Sequence, residues 1–137
     1  MADIMRRIEY YYAVVPNRKG AGAKVFNSLK TEGVNLIAIN GFPRCMGGAQ
    51  LDFVPSDTRA LIAAAQKAGV KLVGPKIAFL IQGEDRLGAV ADVLSKLEKA
   101  QISVTAMQAI ATGTGYGSIL WVKPRDVDKT VQALGIS

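Results

Sequence analysis

The chain has 137 residues, half of them apolar, which is room for one ordinary domain or two very small ones and excludes wholesale disorder. Its formal net charge of +6 leaves anionic partners open, but bulk charge governs solubility and association, not fold. With no histidine and a single cysteine, Cys45, the chain has no internal disulfide framework, no Cys/His zinc site and no histidine general base, so neither a metal nor a cofactor is expected.

Met1 to Arg7 carries two arginines with no apolar run behind them, so it does not read as a signal peptide. No apolar run approaches the length of a membrane span, and the expected location is the cytoplasm. Ile8–Val15 is β-branched and aromatic, which suits a first strand. A polar turn, Asn17-Arg18-Lys19-Gly20, leads into a helix with Phe26 and Leu29 on one stripe, which Gly33 is placed to end. Val34–Asn40 reads as a second strand, Gly41 to Gly48 as a long connection and Gln50–Val54 as a third strand. A second helix starts after Ser56-Asp57, and Lys71–Val73 reads as a fourth strand. The same order then begins again. Lys76–Gln82 is a strand, Asp85-Arg86-Leu87-Gly88 a turn, and Val90, Leu94 and Leu97 mark a helical stripe. Ile102–Ala109 and Ser118–Val122 are strands joined through Thr112–Gly117, and a last helix follows Pro124-Arg125-Asp126.

The two halves are copies. Residues 8–41 written above 76–109 bring Arg18 onto Arg86, Gly20 onto Gly88, Ala21 onto Ala89, Val25 onto Val93 and Leu29 onto Leu97. After a slip of two residues, Leu61 meets Val127 and Gly69 meets Gly135. The order βαββαβ predicts an α+β fold of two tandem ferredoxin-like units, each an antiparallel sheet with helices on one face. Gly74-Pro75 is the expected boundary, giving domains 1–74 and 75–137. The second copy reaches Ser137 where its fourth strand is due, so it is expected to lack or shorten that strand. That would leave Lys76–Gln82, apolar on both faces, as an open edge to be covered by the first copy or by a second chain in a dimer.

At the strand–turn–helix junction, the run from Asp85 to Leu94 resembles the ACT family of regulatory amino-acid-binding domains. The family pattern there is a strand, Asp-x-Pro-Gly, a helix rich in Ala, Val and Leu, and a second strand like Gly-Ile-Asn-Ile; Gly33-Val34-Asn35-Leu36 matches this last part. The resemblance covers nearly the whole chain, twice. Lys19 and Leu87 stand where the family has proline, and Asn17 where it has aspartate. The resemblance implies an effector beside the first strand–helix loop of each copy, often at an interface between domains. The candidate ligand-binding residues are therefore Asn17, Arg18, Lys19 and Gly20 in one copy and Asp85, Arg86, Leu87 and Gly88 in the other. It also implies a non-catalytic regulator with a small-molecule effector, expected to be an amino acid, a homodimeric or larger assembly, and a separately encoded enzyme as target.

Elementary chemistry agrees with that placement. A helix N-terminus offers unpaired N–H groups and partial positive charge to a carboxylate, and glycine lets a ligand approach the backbone closely. Asp85 suits an ammonium group, while Asn17 brings no charge, so the two sites should differ in affinity. The plainer reading is that both glycines serve the turn and Asp85 caps the helix. Two other readings stay open. Tyr10, Tyr11 and Tyr12 with the positive charge suggest a nucleic-acid-binding sheet. Its third strand, however, lacks a basic-Gly-aromatic start and carries Asp52, so nucleic acid is not the expected partner. The other is a purely structural assembly module. Gly20-Ala21-Gly22 does not extend to a dinucleotide fingerprint, since Val25 replaces the third glycine. Cys45 has no histidine partner and reads as a passive thiol.

Overall fold

The computed structural model describes residues 3–136. The elements run β1 (Ile4–Val15), α1 (Ala21–Thr31), β2 (Leu36–Pro43), β3 (Ala49–Pro55), α2 (Thr58–Ala68), β4 (Val73–Glu84), α3 (Ala89–Lys99), β5 (Val104–Thr112), β6 (Gly115–Val122), a 3-10 turn (Pro124–Asp126) and α4 (Val127–Leu134). No helix among the described residues is long and apolar enough to cross a membrane. The chain divides into two compact units, Glu9–Lys76 and Met1–Ile8 together with Ile77–Ser137.

In the unit Glu9–Lys76 the strand order is β2-β3-β1-β4. Antiparallel pairing sets Tyr11 opposite Phe53 and Ile39 opposite Phe53 on its other side. Tyr11, Ala13 and Phe53 of the sheet meet Val25 and Leu29 of α1 and Leu61 and Ala64 of α2 in one core, so both helices cover the same face. The ring of Phe26 meets Phe53 edge-on, with centroids 5.5 Å apart. Asp57 caps α2 by accepting from the N–H groups of Arg59 and Ala60, and Gly69 ends that helix in a left-handed conformation.

The other unit repeats this plan, in the order β1-β4-β6-β5. Phe79 pairs with Leu120, as Tyr11 pairs with Phe53 in the first copy. Phe79, Ile81, Leu120 and Val122 pack with Ala89, Val93 and Leu97 of α3 and Val127 and Leu134 of α4. The duplication extends to irregularities. The β2–β3 ladder shifts register between Leu36 and Ala38, and the β5–β6 ladder shifts at the equivalent Val104 and Ala106. Gly20 and Gly88, at φ 83° and 80°, begin α1 and α3 alike.

Two expectations are revised and one is met. Lys71–Val73 and Lys76–Gln82 are not two strands but parts of one, Val73–Glu84, so Gly74-Pro75 lies inside β4. The residue before the proline, Gly74, has φ 147°, a conformation that L side chains rarely adopt. The units therefore divide after Lys76, with the start of β1 grouped with the second copy. Second, the edge at Lys76–Gln82 is covered, as expected: within its unit β4 lies between β1 and β6. β1 starts at Ile4, four residues earlier than the pattern Ile8–Val15 suggests, and this extension takes the fourth-strand place in the second copy. Arg6 and Arg7 hide the extension in the sequence, although Met5 packs against the core. Third, the long connection Gly41–Gly48 begins as strand, and only Arg44–Gly48 form the turn. Gly41, Phe42 and Pro43 pair with Leu51, Gln50 and Ala49, leaving a tight turn closed by the Arg44 N–H donating to the Gly48 carbonyl at 3.0 Å. Cys45 is exposed on this turn.

Candidate functional site

Each copy presents the same turn at the end of a long strand. In the first, the Arg18 N–H donates to the Pro16 carbonyl and the Lys24 N–H to the Gly20 carbonyl, at 2.9 and 3.0 Å. Asn17, Arg18 and Lys19 are exposed there. A groove of 530 Å³ in this copy lies elsewhere, between α1 and α2, lined by Lys24, Asn27, Glu32 and Lys67 among others.

The second turn is built differently. The Asp85 N–H donates to the Thr114 carbonyl at 3.0 Å, tying the turn to the β5–β6 hairpin, and the Asp92 N–H donates to the Gly88 carbonyl at 3.0 Å. The Asp85 side chain does not cap α3; Gly88 holds that position without a side-chain bond. A cleft of 260 Å³ opens beside the turn. Asp85, Arg86 and Gly88 line it together with the first turn of α3, Ala89–Ala91, and Ala109–Ala111 of β5 and Tyr116 of β6 form the opposite wall. Three of the four expected residues of this copy thus share one cleft. Leu87 does not; its side chain is fully exposed.

Arg86 is already engaged. Its guanidinium donates to both carboxylate oxygens of Asp3, at 2.8 and 3.1 Å, and lies 3.7 Å from Asp92. The Tyr116 hydroxyl donates to the same Asp3 carboxylate at 2.7 Å. The Asp3 side chain is only 4% exposed. Arg86 is thus paired with carboxylates on two sides.

The bonds from Arg86 hold the Asp3 carboxyl below the ordinary carboxylate range, against the opposing effect of burial. Burial, reinforced by the Asp3 carboxylate, pushes the Tyr116 hydroxyl up to about 12. A depressed carboxylate stabilises the fold above its unfolded pKa, and that stability is lost as pH falls through the folded value. Stability measured by urea midpoints should therefore fall less steeply with acid in Asp3→Asn than in the natural chain. Identical acid profiles would show that this carboxylate is not held ionised by Arg86.

Asp3, Gly83 and Tyr116 were not legible as site residues. The available signal was a substitution within the repeat. Val15 pairs with Ala49 in the first copy, and the equivalent pair in the second is Gly83 with Tyr116.

The aromatic triplet of β1 offers no stacking platform. Tyr10 and Tyr11 are buried, Tyr11 within the core, and Tyr12 is half-buried with the Lys76 ammonium 5.4 Å from its ring centre. Asp52, opposite Tyr12, is buried and accepts from the Gln50 amide at 2.9 Å.

Among solved structures, the chain is similar to protein BT0572 from Bacteroides thetaiotaomicron, with TM-score 0.83 and 18% identity over 96% of this chain and 88% of that one. It is similar to the regulatory subunit of aspartate kinase from Thermus thermophilus, with TM-score 0.67 and 14% identity over 98% and 95%. It is also similar to E. coli aspartokinase III in complex with aspartate and ADP, with TM-score 0.57 and 16% identity over 97% of this chain and 32% of that one. The chain has the ACT fold. No protein-family model and no curated protein sequence matches it. At these identities the likeness is one of fold, and the ACT architecture accounts for the paired turns at the starts of α1 and α3.

Proposed function

We propose that this protein is a non-catalytic regulator that binds a small amino acid in the cleft beside Asp85–Gly88. The observation that carries this reading is the arrangement around that cleft. An acidic side chain and the first turn of a helix face one small cavity, as an ammonium and a carboxylate on one carbon require. The ACT fold supports it, because solved structures of that fold include a separate regulatory subunit of aspartate kinase matched over 95% of its length. By the same likeness, the ligand signal is passed to a separately encoded enzyme through a homodimeric or larger assembly. The first turn, with Asn17 in place of the aspartate, is the weaker site or has none.

A thermal-shift screen of the twenty amino acids tests the proposal. Ligand at 100 times its dissociation constant contributes about 2.7 kcal/mol, a rise of roughly 5–10 °C in a chain of this size. Asp85→Ala should weaken the hit roughly tenfold or more, by loss of a charge-assisted hydrogen bond, while Asn17→Ala changes it little. No shift from any amino acid at millimolar concentration, or equal effects of the two variants, would count against the reading.

A further inference from the structure

The second copy contains a finished carboxylate site whose occupant is the chain's own Asp3. Its floor is Gly83: a Cβ there would overlap the Asp3 carboxylate and approach the Tyr116 ring to 3.1 Å. Its donors are the two-pronged guanidinium of Arg86 and the Tyr116 hydroxyl. Planar paired donation of this kind fits a carboxylate closely. The first copy cannot form it, since Val15 and Ala49 replace Gly83 and Tyr116 although Arg18 is retained. Two features separate this nook from an ordinary structural ion pair. Arg86 and Tyr116 also line the cleft that holds Asp85, so the same donors face a second space. Asp3 itself stands outside β1, which begins at Ile4, so its side chain can leave without breaking a strand ladder.

We propose that Asp3 is a tethered competitor, and that the Gly83–Arg86–Tyr116 nook binds the carboxylate of a free small acid when Asp3 is displaced. For an amino acid this deepens the proposed function, on which that part rests: the ammonium is held at Asp85, and the carboxylate, beside the first turn of α3, takes the Arg86 and Tyr116 donors that Asp3 vacates. Binding then releases the residue before β1, so occupancy of the site is reported at the start of the first strand. A competitor on a short tether acts at an effective concentration of the order of millimolar, and the apparent affinity of a free acid is reduced by the fraction of time the nook is closed.

The test uses the full chain and acetate as a bare carboxylate probe, followed through the Arg86 side-chain N–H signals and by calorimetry. Asp3→Ala should tighten acetate at least tenfold relative to the natural chain, and adding Arg86→Ala or Tyr116→Phe should abolish the gain. Asp3→Asn keeps the shape and provides the same comparison if the alanine variant does not fold. Unchanged acetate affinity in a folded Asp3 variant overturns the proposal, as does a gain that survives loss of Arg86. The amino-acid panel run on the same variants separates the two readings. Tight acetate binding without any amino-acid hit keeps the nook and sinks the amino-acid function. An amino-acid hit that is indifferent to Asp3 does the reverse.

Discussion

Phe79→Ala is expected to cost about 3–5 kcal/mol, a large part of the 5–15 kcal/mol that holds a typical domain folded. Phe79 is fully buried in the middle of β4, opposite Leu120, and belongs to the cluster with Ile81, Val93 and Leu97. Truncation there removes apolar contact and leaves a cavity between the sheet and α3 that two rigid elements cannot collapse to fill. Urea unfolding should show a lower midpoint with an unchanged slope. A loss below about 1 kcal/mol would mean that the sheet and helices of this unit do not share a common core.

Gly74→Ala should cost about 3 kcal/mol or more, an unusual loss for the addition of one methyl group. Gly74 has φ 147°, a conformation that L side chains rarely adopt. The added Cβ would also sit 2.8 Å from the Tyr11 ring and 3.0 Å from the Tyr10 carbonyl, both fixed within β1. Strain and clash act together, and neither a strand backbone nor a buried ring can move aside cheaply. The Tm of Gly74→Ala should fall further than that of Gly69→Ala, a C-cap glycine at φ 71° with open space around it. Equal losses in the two variants would contradict the clash with β1.

The fold was largely legible because its signals are local and stated twice. Hydrophobic spacing placed α1 and α3, the Gly20 and Gly88 turns fixed their starts, and the 68-residue offset carried through to the matching register shifts at Leu36 and Val104. The elements that were misjudged depend on distant partners. Residues 4–7 read as polar because Arg6 and Arg7 break the pattern, yet they extend β1 to serve the second copy. Pro75 read as a break because a proline cannot donate to a ladder, yet β4 runs through it, and the space at Gly74 is set by Tyr10 and Tyr11, more than sixty residues earlier. Of the site, the sequence showed the turn and its glycine. It did not show that Arg86 was already paired, because Asp3 lies 83 residues away and reaches it only through the fold. The contrast between Val15–Ala49 and Gly83–Tyr116 was visible residue by residue, but its meaning needs the cross-strand register.

An amino-acid titration of the natural chain, read from backbone amide shifts, tests the central claim most directly. The account predicts saturable shifts at Asp85, Gly88, Ala89, Val90 and Ala91 for at least one amino acid, with little response at Asn17–Gly20. No saturable shift at millimolar concentration, or shifts confined to the groove of Lys24, Asn27 and Lys67, would contradict it.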